Sequence, residues 1–147
     1  MTPTLSGRLQ TRVFILATVG LVWTLIVTPF LPETGGVSLG DVYEVTLGVL
    51  LSVGVVGLGW ELLYHFLQQF RWEKDWPTLF GFFNGFNEGL LLWLLLEAGA
   101  IPWVDRDVPF STFAFHFGTT WLVVWLFLNG PMRVVLPRWR FRGGAIL

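Results

Sequence analysis

Two amides and a carboxyl interrupt one of the most apolar stretches of this chain. Residues 81–91, GFFNGFNEGLL, carry Asn84, Asn87 and Glu88 among phenylalanines and leucines. An ionisable residue inside a membrane segment is costly and marks a functional site by default, whereas amides can also hold neighbouring helices together through hydrogen bonds. The stretch therefore predicts a polar patch that either binds a ligand or joins helices.

The small and polar residues of this stretch share one face of a helix, at about 100° per residue. That face consists of Gly81, Asn84, Gly85, Asn87, Glu88 and Gly89. Glycines four residues apart let membrane helices approach closely. We expect the face to pack against a second glycine-containing segment, with Gly54 and Gly57 on the other side of the contact.

Further polar residues recur in the neighbouring apolar segments. Together with the patch they form a candidate intramembrane site of Glu61, His65, Asn84, Asn87, Glu88, His116, Thr119 and Thr120. At 1.5 Å per residue, Glu61 and Asn84 should lie at a similar depth, and Glu88 should meet Thr119 or Thr120. The set can act as hydrogen-bonding contacts between helices, as a pocket open to the cytoplasm, or as a string of groups that relays protons.

Metal binding and catalysis find little support in the residue types present. Glu61 and His65 are spaced to share a ligand, and Glu88 or His116 could complete a set, but His116 belongs to a different depth. Carboxylate-bridged bundle sites use Glu-x-x-His elements, which do not occur, and there is no cysteine. We therefore predict no metal, no cofactor and no catalytic residue. A lipid-modifying enzyme that uses Glu61 and His65 remains a third alternative.

Composition indicates a membrane protein. Of the 147 residues, 54% are hydrophobic and only 13% are charged, against about 25% charged in soluble domains. Four windows, 13–31, 45–67, 78–98 and 110–128, have the roughly 20 apolar residues that a membrane helix needs. The first is too long for a signal peptide and is expected to be retained. These features predict a single membrane domain, residues 1–147, folded as an all-α, up-down bundle of four transmembrane helices.

The charged residues predict an orientation. Eight of the nine basic residues lie before the first window, after the second (Arg71 and Lys74) or after the fourth, and Arg106 is the exception. The positive-inside rule then puts both termini in the cytoplasm, in a multi-pass inner-membrane protein. Residues 131–147 form a basic tail, and its arginines are expected to contact anionic lipid headgroups: Arg133, Arg138, Arg140 and Arg142. Nucleic-acid binding is not indicated.

Two functions fit these features. The first is an accessory or assembly subunit, which packs through its glycine-rich helices against other membrane subunits or against copies of itself. The alternative is a small transporter or proton-coupled carrier, centred on Glu88 and Glu61 and open to the cytoplasm.

Overall fold

Four long helices dominate the computed structural model of the protein, which describes residues 2–73, 77–104 and 107–147. They are long and apolar enough to cross a membrane: Leu5–Phe30, Leu39–Gln68, Thr78–Glu97 and Phe110–Val135. No strand occurs within the described ranges. The prediction of an all-helical chain with four helices of membrane-spanning length is confirmed. Lys74 and Arg106, which entered the charge pattern, lie outside the described residues.

The first span begins earlier than the sequence predicted. It consists of α1 (Leu5–Ile15), a π-helical turn (Leu16–Gly20), α2 (Leu21–Val27) and a 3-10 turn (Thr28–Phe30). The expected window started at residue 13, which left Arg8 and Arg12 in a flanking segment. Both arginines are instead buried within α1, because acidic side chains of two other helices neutralise them.

The π-helical turn changes which residues of this span share a face. In a regular α-helix Thr24 would lie about 120° around the axis from Arg12, at about 100° per residue. A π turn advances less per residue, because its hydrogen bonds span five residues instead of four. The turn therefore brings Arg12 and Thr24 closer to one face, and both side chains are buried.

The second and third spans are single α-helices, α3 (Leu39–Gln68) and α4 (Thr78–Glu97). The fourth span consists of α5 (Phe110–Asn129) and the short helix α6 (Pro131–Val135). Helices α4 and α5 each begin directly after a proline, Pro77 and Pro109. Helix α3 begins before the predicted window, because the Ser38 hydroxyl accepts a hydrogen bond from the Asp41 amide at 3.2 Å. Such a cap satisfies one of the amides that a helix start leaves unpaired.

The core lies between the helices, and most outward-facing side chains are apolar. Its buried residues include Ile15, Leu16, Val49, Leu50, Val53, Leu92, Phe113 and Val124. Large apolar side chains remain exposed on the outer faces of all four spans, for example Leu25, Leu62, Phe86 and Leu126. Apolar groups on the outside suit a hydrocarbon environment, as expected for helices of this composition.

The C-terminal tail, residues 131–147, packs onto α1. It contains two short helices, α6 (Pro131–Val135) and α7 (Pro137–Phe141). The buried Trp139 donates its indole hydrogen to Thr11 Oγ1 at 2.7 Å. The Thr4 amide donates to the Gly143 carbonyl at 2.9 Å. The two terminal segments of the chain therefore meet at one end of the bundle, which we call the tail end.

The basic residues of the tail differ in their surroundings. Arg138, Arg140 and Arg142 are exposed on the outside of the docked segment. Arg133 is half-buried and donates to the Asn129 side-chain oxygen at 2.7 Å. Contact of these arginines with lipid headgroups stays a prediction.

Docking of the tail should depend on the absence of a side chain at Gly7. A Cβ atom there would lie 2.7 Å from the Gly144 carbonyl carbon and 2.8 Å from the Ala145 amide nitrogen. Because these are backbone atoms, the tail cannot move aside without losing its hydrogen bonds to α1. Gly7→Ala is expected to release the tail, so that trypsin cleaves it several-fold faster after its exposed arginines.

The matched control is Gly59→Ala on α3, where an added Cβ would meet nothing within 4 Å. Gly59→Ala should leave the cleavage rate of the tail unchanged. Equal cleavage rates in both variants would contradict the docked arrangement.

Candidate functional site

Four charged side chains meet inside the bundle and form what we call the ion-pair cluster: Arg8, Arg12, Glu61 and Glu88. Arg8 Nη1 lies 3.3 Å from Glu61 Oε2, and Arg12 Nε lies 3.6 Å from Glu61 Oε1. Arg12 Nη2 donates to Glu88 Oε2. The side chains of Arg12 and Glu88 are only 7% and 4% exposed. Two positive and two negative charges thus neutralise one another away from bulk water.

Three helices position this cluster. Arg8 and Arg12 are four residues apart on α1, so they face the same side. Glu61 comes from α3 and Glu88 from α4. Arg8 also donates through Nη2 to the Gln68 side-chain oxygen at 2.8 Å. The cluster connects α1 to α3 and α4. Because each charge is neutralised by the others, the burial of all four charges is mutually dependent.

A cavity of about 200 Å³ adjoins the cluster; we call it the large cavity, because it exceeds the two spaces of about 10 Å³ that cluster residues also line. Arg8, Arg12, Glu61 and Glu88 line one side of it. Side chains of α5 and the tail line the remainder, including Trp121, Trp125, Asn129, Arg133 and Trp139. Among the described lining residues, three arginines face two carboxylates, which leaves one positive charge in excess.

Glu61, Asn84 and Glu88 of the predicted polar site all line the large cavity. The carboxylates of Glu61 and Glu88 pair with arginines, which the sequence did not predict. Glu88 pairs with Arg12 instead of Thr119 or Thr120. Glu61 pairs with Arg8 and Arg12.

His116, Thr119 and Thr120 of the predicted site do not line the large cavity. His116 and Thr119 contact the first span, whereas Thr120 Oγ1 has no hydrogen-bond partner among the described residues. His116 Nε2 is 3.0 Å from Thr24 Oγ1, and both side chains are buried. The Trp23 indole donates to Thr119 Oγ1 at 3.0 Å. One helical turn after Thr24 in the first span, the Thr28 hydroxyl is 2.9 Å from the Thr46 hydroxyl of α3. The first span thus provides hydrogen-bond partners for His116 and Thr119 of α5.

His65 and Asn87 stand apart from the large cavity. His65 lines a separate depression beside the N-terminal residues, together with Thr4 and Gln69. Asn87 is exposed on the outer face of α4, close in sequence to the exposed Phe83 and Leu90. Neither residue joins the ion-pair cluster.

The glycines of α4 make room for aromatic rings of α5. A Cβ on Gly85 would lie 2.6 Å from Trp121 ring atoms, and one on Gly89 would lie 2.7 Å from Phe117 Cε1. The expected neighbours of these glycines were the backbone atoms of α3. Instead, the stacked rings of Phe117 and Trp121, with centroids 5.8 Å apart, occupy the space beside them. The notches in α4 let α5 approach, and the indole of Trp121 then reaches the large cavity.

The remaining predicted packing glycines have different neighbours. A Cβ on Gly57 would lie 2.6 Å from the Nε and Nη2 atoms of Arg12, so this glycine provides the space for the guanidinium. Gly54 lies against Leu16, with 3.9 Å between the added Cβ and Cδ1. Gly81 lines the large cavity and would meet nothing within 4 Å. Of this set, Gly57 has the most direct role in building the site.

Sequence reasoning missed Arg8, Arg12 and Trp121 as members of the site. One signal was available: two acids within apolar windows require two positive partners, and Arg8 and Arg12 are the two bases that precede the first window at helical spacing. The position of Trp121 had no comparable signal, because aromatic residues occur throughout the spans.

The donor set suits small polar or ionic ligands. In the part of the chain that the structure describes, no three His, Asp or Glu side chains converge in a way that could hold a metal ion. What the large cavity offers is guanidinium donors, carboxylate acceptors, amides and aromatic walls. Such a combination can bind a small ion or dipolar solute by exchanging ion-pair partners.

Comparison with protein-family models, with curated proteins and with solved structures finds no match.

Proposed function

We propose that this protein is a small proton-coupled carrier, which binds an anionic solute in the large cavity. The observation that carries the proposal is the buried ion-pair cluster along one wall of a 200 Å³ cavity. A buried ion pair adds little stability compared with well-packed apolar residues. Charged groups inside membrane segments are accordingly retained mainly where they serve a function.

Exchange of partners at Arg12 provides the mechanism. In the resting arrangement Arg12 is paired with Glu88. When Glu88 takes up a proton, its negative charge is lost and the guanidinium can bind an anion that has entered the cavity. One proton and one anion are then bound together, and both leave on the other side of the membrane. The carrier crosses between its two states without a change in its net charge.

The orientation follows from the charge pattern. Basic residues are concentrated at the tail end of the bundle, and the positive-inside rule assigns that end to the cytoplasm. In this arrangement the four helices run up and down, both termini are cytoplasmic, and the large cavity opens inward.

The test is transport by the purified protein in liposomes that contain the pH-sensitive dye pyranine. Gradients of chloride, nitrate or lactate are imposed, and proton movement is followed. The wild type is expected to move protons with at least one of these anions. Glu88→Gln should reduce this movement to the rate of protein-free liposomes, which is a much larger loss than any fall in the yield of folded protein.

The matched control is Glu44→Gln, because Glu44 is exposed near the start of α3 and should leave transport unchanged. A wild-type protein that moves protons with none of the three anions would refute the proposal. If Glu88→Gln loses folded protein to the same degree as transport, the role of Glu88 is structural.

A second candidate, self-association or assembly with other membrane subunits, is favoured by Asn87. This amide is exposed at the middle of α4, where lipid offers it no hydrogen bond. In membranes, such amides pair with neighbouring helices, at about 0.6 kcal/mol per contact on average.

Measurement of the particle mass in mild detergent tests this second function. An oligomer or a co-purifying partner is expected, and Asn87→Leu should weaken the association. A wild-type protein that is a lone monomer would count strongly against it.

A further inference from the structure

One face of α5 forms an apolar wall of the large cavity. Trp121, Val124, Trp125 and Leu128 all line the cavity, and they follow one another at positions i, i+3, i+4 and i+7. Residues with this spacing lie on the same side of an α-helix. Trp139 of the tail lines the same cavity, so three of the described lining residues are tryptophans.

The three indole rings have no hydrogen-bonding capacity left for a ligand. Trp121 donates to the Phe82 carbonyl at 3.1 Å, and Trp125 donates to the Thr78 carbonyl at 3.2 Å. Trp139 donates to a threonine hydroxyl of α1 at 2.7 Å. Because an indole has a single N–H donor and no acceptor, the rings offer the cavity only apolar surface.

The size of the large cavity matches an aromatic ring with one charged substituent. An apolar cavity of roughly 150 Å³ holds one benzene molecule. The large cavity has a volume of about 200 Å³, which leaves room for one small group beside such a ring. A halide or nitrate ion would leave most of the apolar wall in contact with water, which is unfavourable. The space therefore favours a solute with a ring over an inorganic anion.

Arg12 determines where the charged end of such a solute binds. Its guanidinium carbon lies 5.6 Å from the centroid of the Trp121 ring, and both residues line the large cavity. A guanidinium binds oxyanions through two parallel hydrogen bonds. An oxyanion paired with Arg12 therefore has its apolar part beside the tryptophans.

We propose that the transported anion is an aromatic oxyanion, with a carboxylate or sulfonate group attached to one ring. The inference rests on the proposed function, which it deepens by naming the class of solute. Sites for small molecules typically combine apolar and aromatic walls with a few polar groups that fix the orientation of the ligand. After Glu88 has taken up a proton, the charged group of the solute replaces the Glu88 carboxylate at Arg12. No covalent bond of the solute changes, and Arg12 keeps its proton.

Uptake of radiolabelled benzenesulfonate and methanesulfonate into liposomes that contain the protein tests this inference. The two anions have the same permanently charged group and differ in the ring. Both are supplied at the same low concentration with an inward proton gradient, and the rates of protein-free liposomes are subtracted. Uptake of benzenesulfonate should be about tenfold faster, because burial of a phenyl ring contributes at least the corresponding free energy, about 1.4 kcal/mol.

Trp125→Leu and Phe115→Leu form a matched pair of variants on α5. Trp125 lines the large cavity, whereas Phe115 is exposed and is not among the described lining residues. Trp125→Leu should lower the ratio of the two uptake rates several-fold, and Phe115→Leu should retain it. The ratio is independent of the yield of folded protein, because both rates come from one preparation. An unchanged ratio in Trp125→Leu would overturn the inference.

A lipid with an anionic headgroup also combines a negative charge with apolar surface. The ratio is therefore measured in phosphatidylcholine liposomes with and without phosphatidylglycerol. The same ratio is expected in both, since the solute enters from water. A preference for the ring that phosphatidylglycerol abolishes would assign the cavity to a lipid headgroup and would refute the aromatic solute.

The outcomes separate this inference from the proposed function. A wild type without any anion-linked proton movement refutes the carrier itself. A wild type that moves protons with chloride, nitrate or lactate, and takes up methanesulfonate as fast as benzenesulfonate, is a carrier but refutes the aromatic solute.

Discussion

Arg12→Met is expected to lower the free energy of unfolding by about 3–5 kcal/mol, the usual cost of removing one partner of a buried ion pair. The substitution leaves the Glu88 carboxylate, which is 4% exposed, without its arginine. It also removes one of the two arginines that neutralise Glu61. Thermal or detergent-induced unfolding, followed by circular dichroism, measures the loss.

The double variant Arg12→Met with Glu88→Gln identifies the cause. If an uncompensated carboxylate is responsible, the added Glu88→Gln should restore a large part of the lost stability, and the two substitutions should be strongly non-additive. Arg140→Met is the surface control, since Arg140 is exposed on the tail. A double variant less stable than Arg12→Met alone would contradict the pairing.

The span pattern was predictable because hydropathy and helix length are local properties of the sequence. The starts of α4 and α5 coincide with the predicted windows, at Thr78 and Phe110, since Pro77 and Pro109 mark them locally. The starts of the first span and of α3 were less predictable. The start of each of these helices depends on a cap or on distant partners, and hydropathy contains no information about either.

The charges of the site could be predicted only in part. Glu88 and Glu61 were recognisable as unusual because they interrupt apolar windows. Arg8 and Arg12 were assigned to a flank, because a basic residue before an apolar window ordinarily marks topology. Only the three-dimensional arrangement pairs them with acids 53 and 76 residues away in sequence.

The small face of α4 was predicted, but its neighbour was not. Glycine spacing indicates that a neighbouring helix approaches closely. It does not indicate whether the group beside the glycines is the backbone of that helix or an aromatic ring. The rings of Trp121 and Phe117 fill the notches at Gly85 and Gly89. Asn87, at the edge of the same predicted face, is turned outward.

Gly85→Ala is the second substitution with a large expected effect. The added Cβ would lie 2.6 Å from the Cδ1 and Cε2 atoms of Trp121. The ring cannot easily move, because its indole nitrogen donates to the Phe82 carbonyl at 3.1 Å and its face stacks on Phe117. Overpacking of this kind costs about 1–3 kcal/mol. It should also disturb the large cavity, which Trp121 lines.

Gly81→Ala, one turn earlier on α4, isolates the steric effect. Both substitutions gain the helix propensity of alanine, about 1 kcal/mol, but a Cβ on Gly81 would meet nothing within 4 Å. Unfolding measurements should therefore find Gly81→Ala neutral or slightly stabilised and Gly85→Ala destabilised. Trp121→Phe, which introduces a smaller ring, should reduce the penalty of Gly85→Ala. Equal stability of the two alanine variants would mean that Trp121 does not occupy the space beside Gly85.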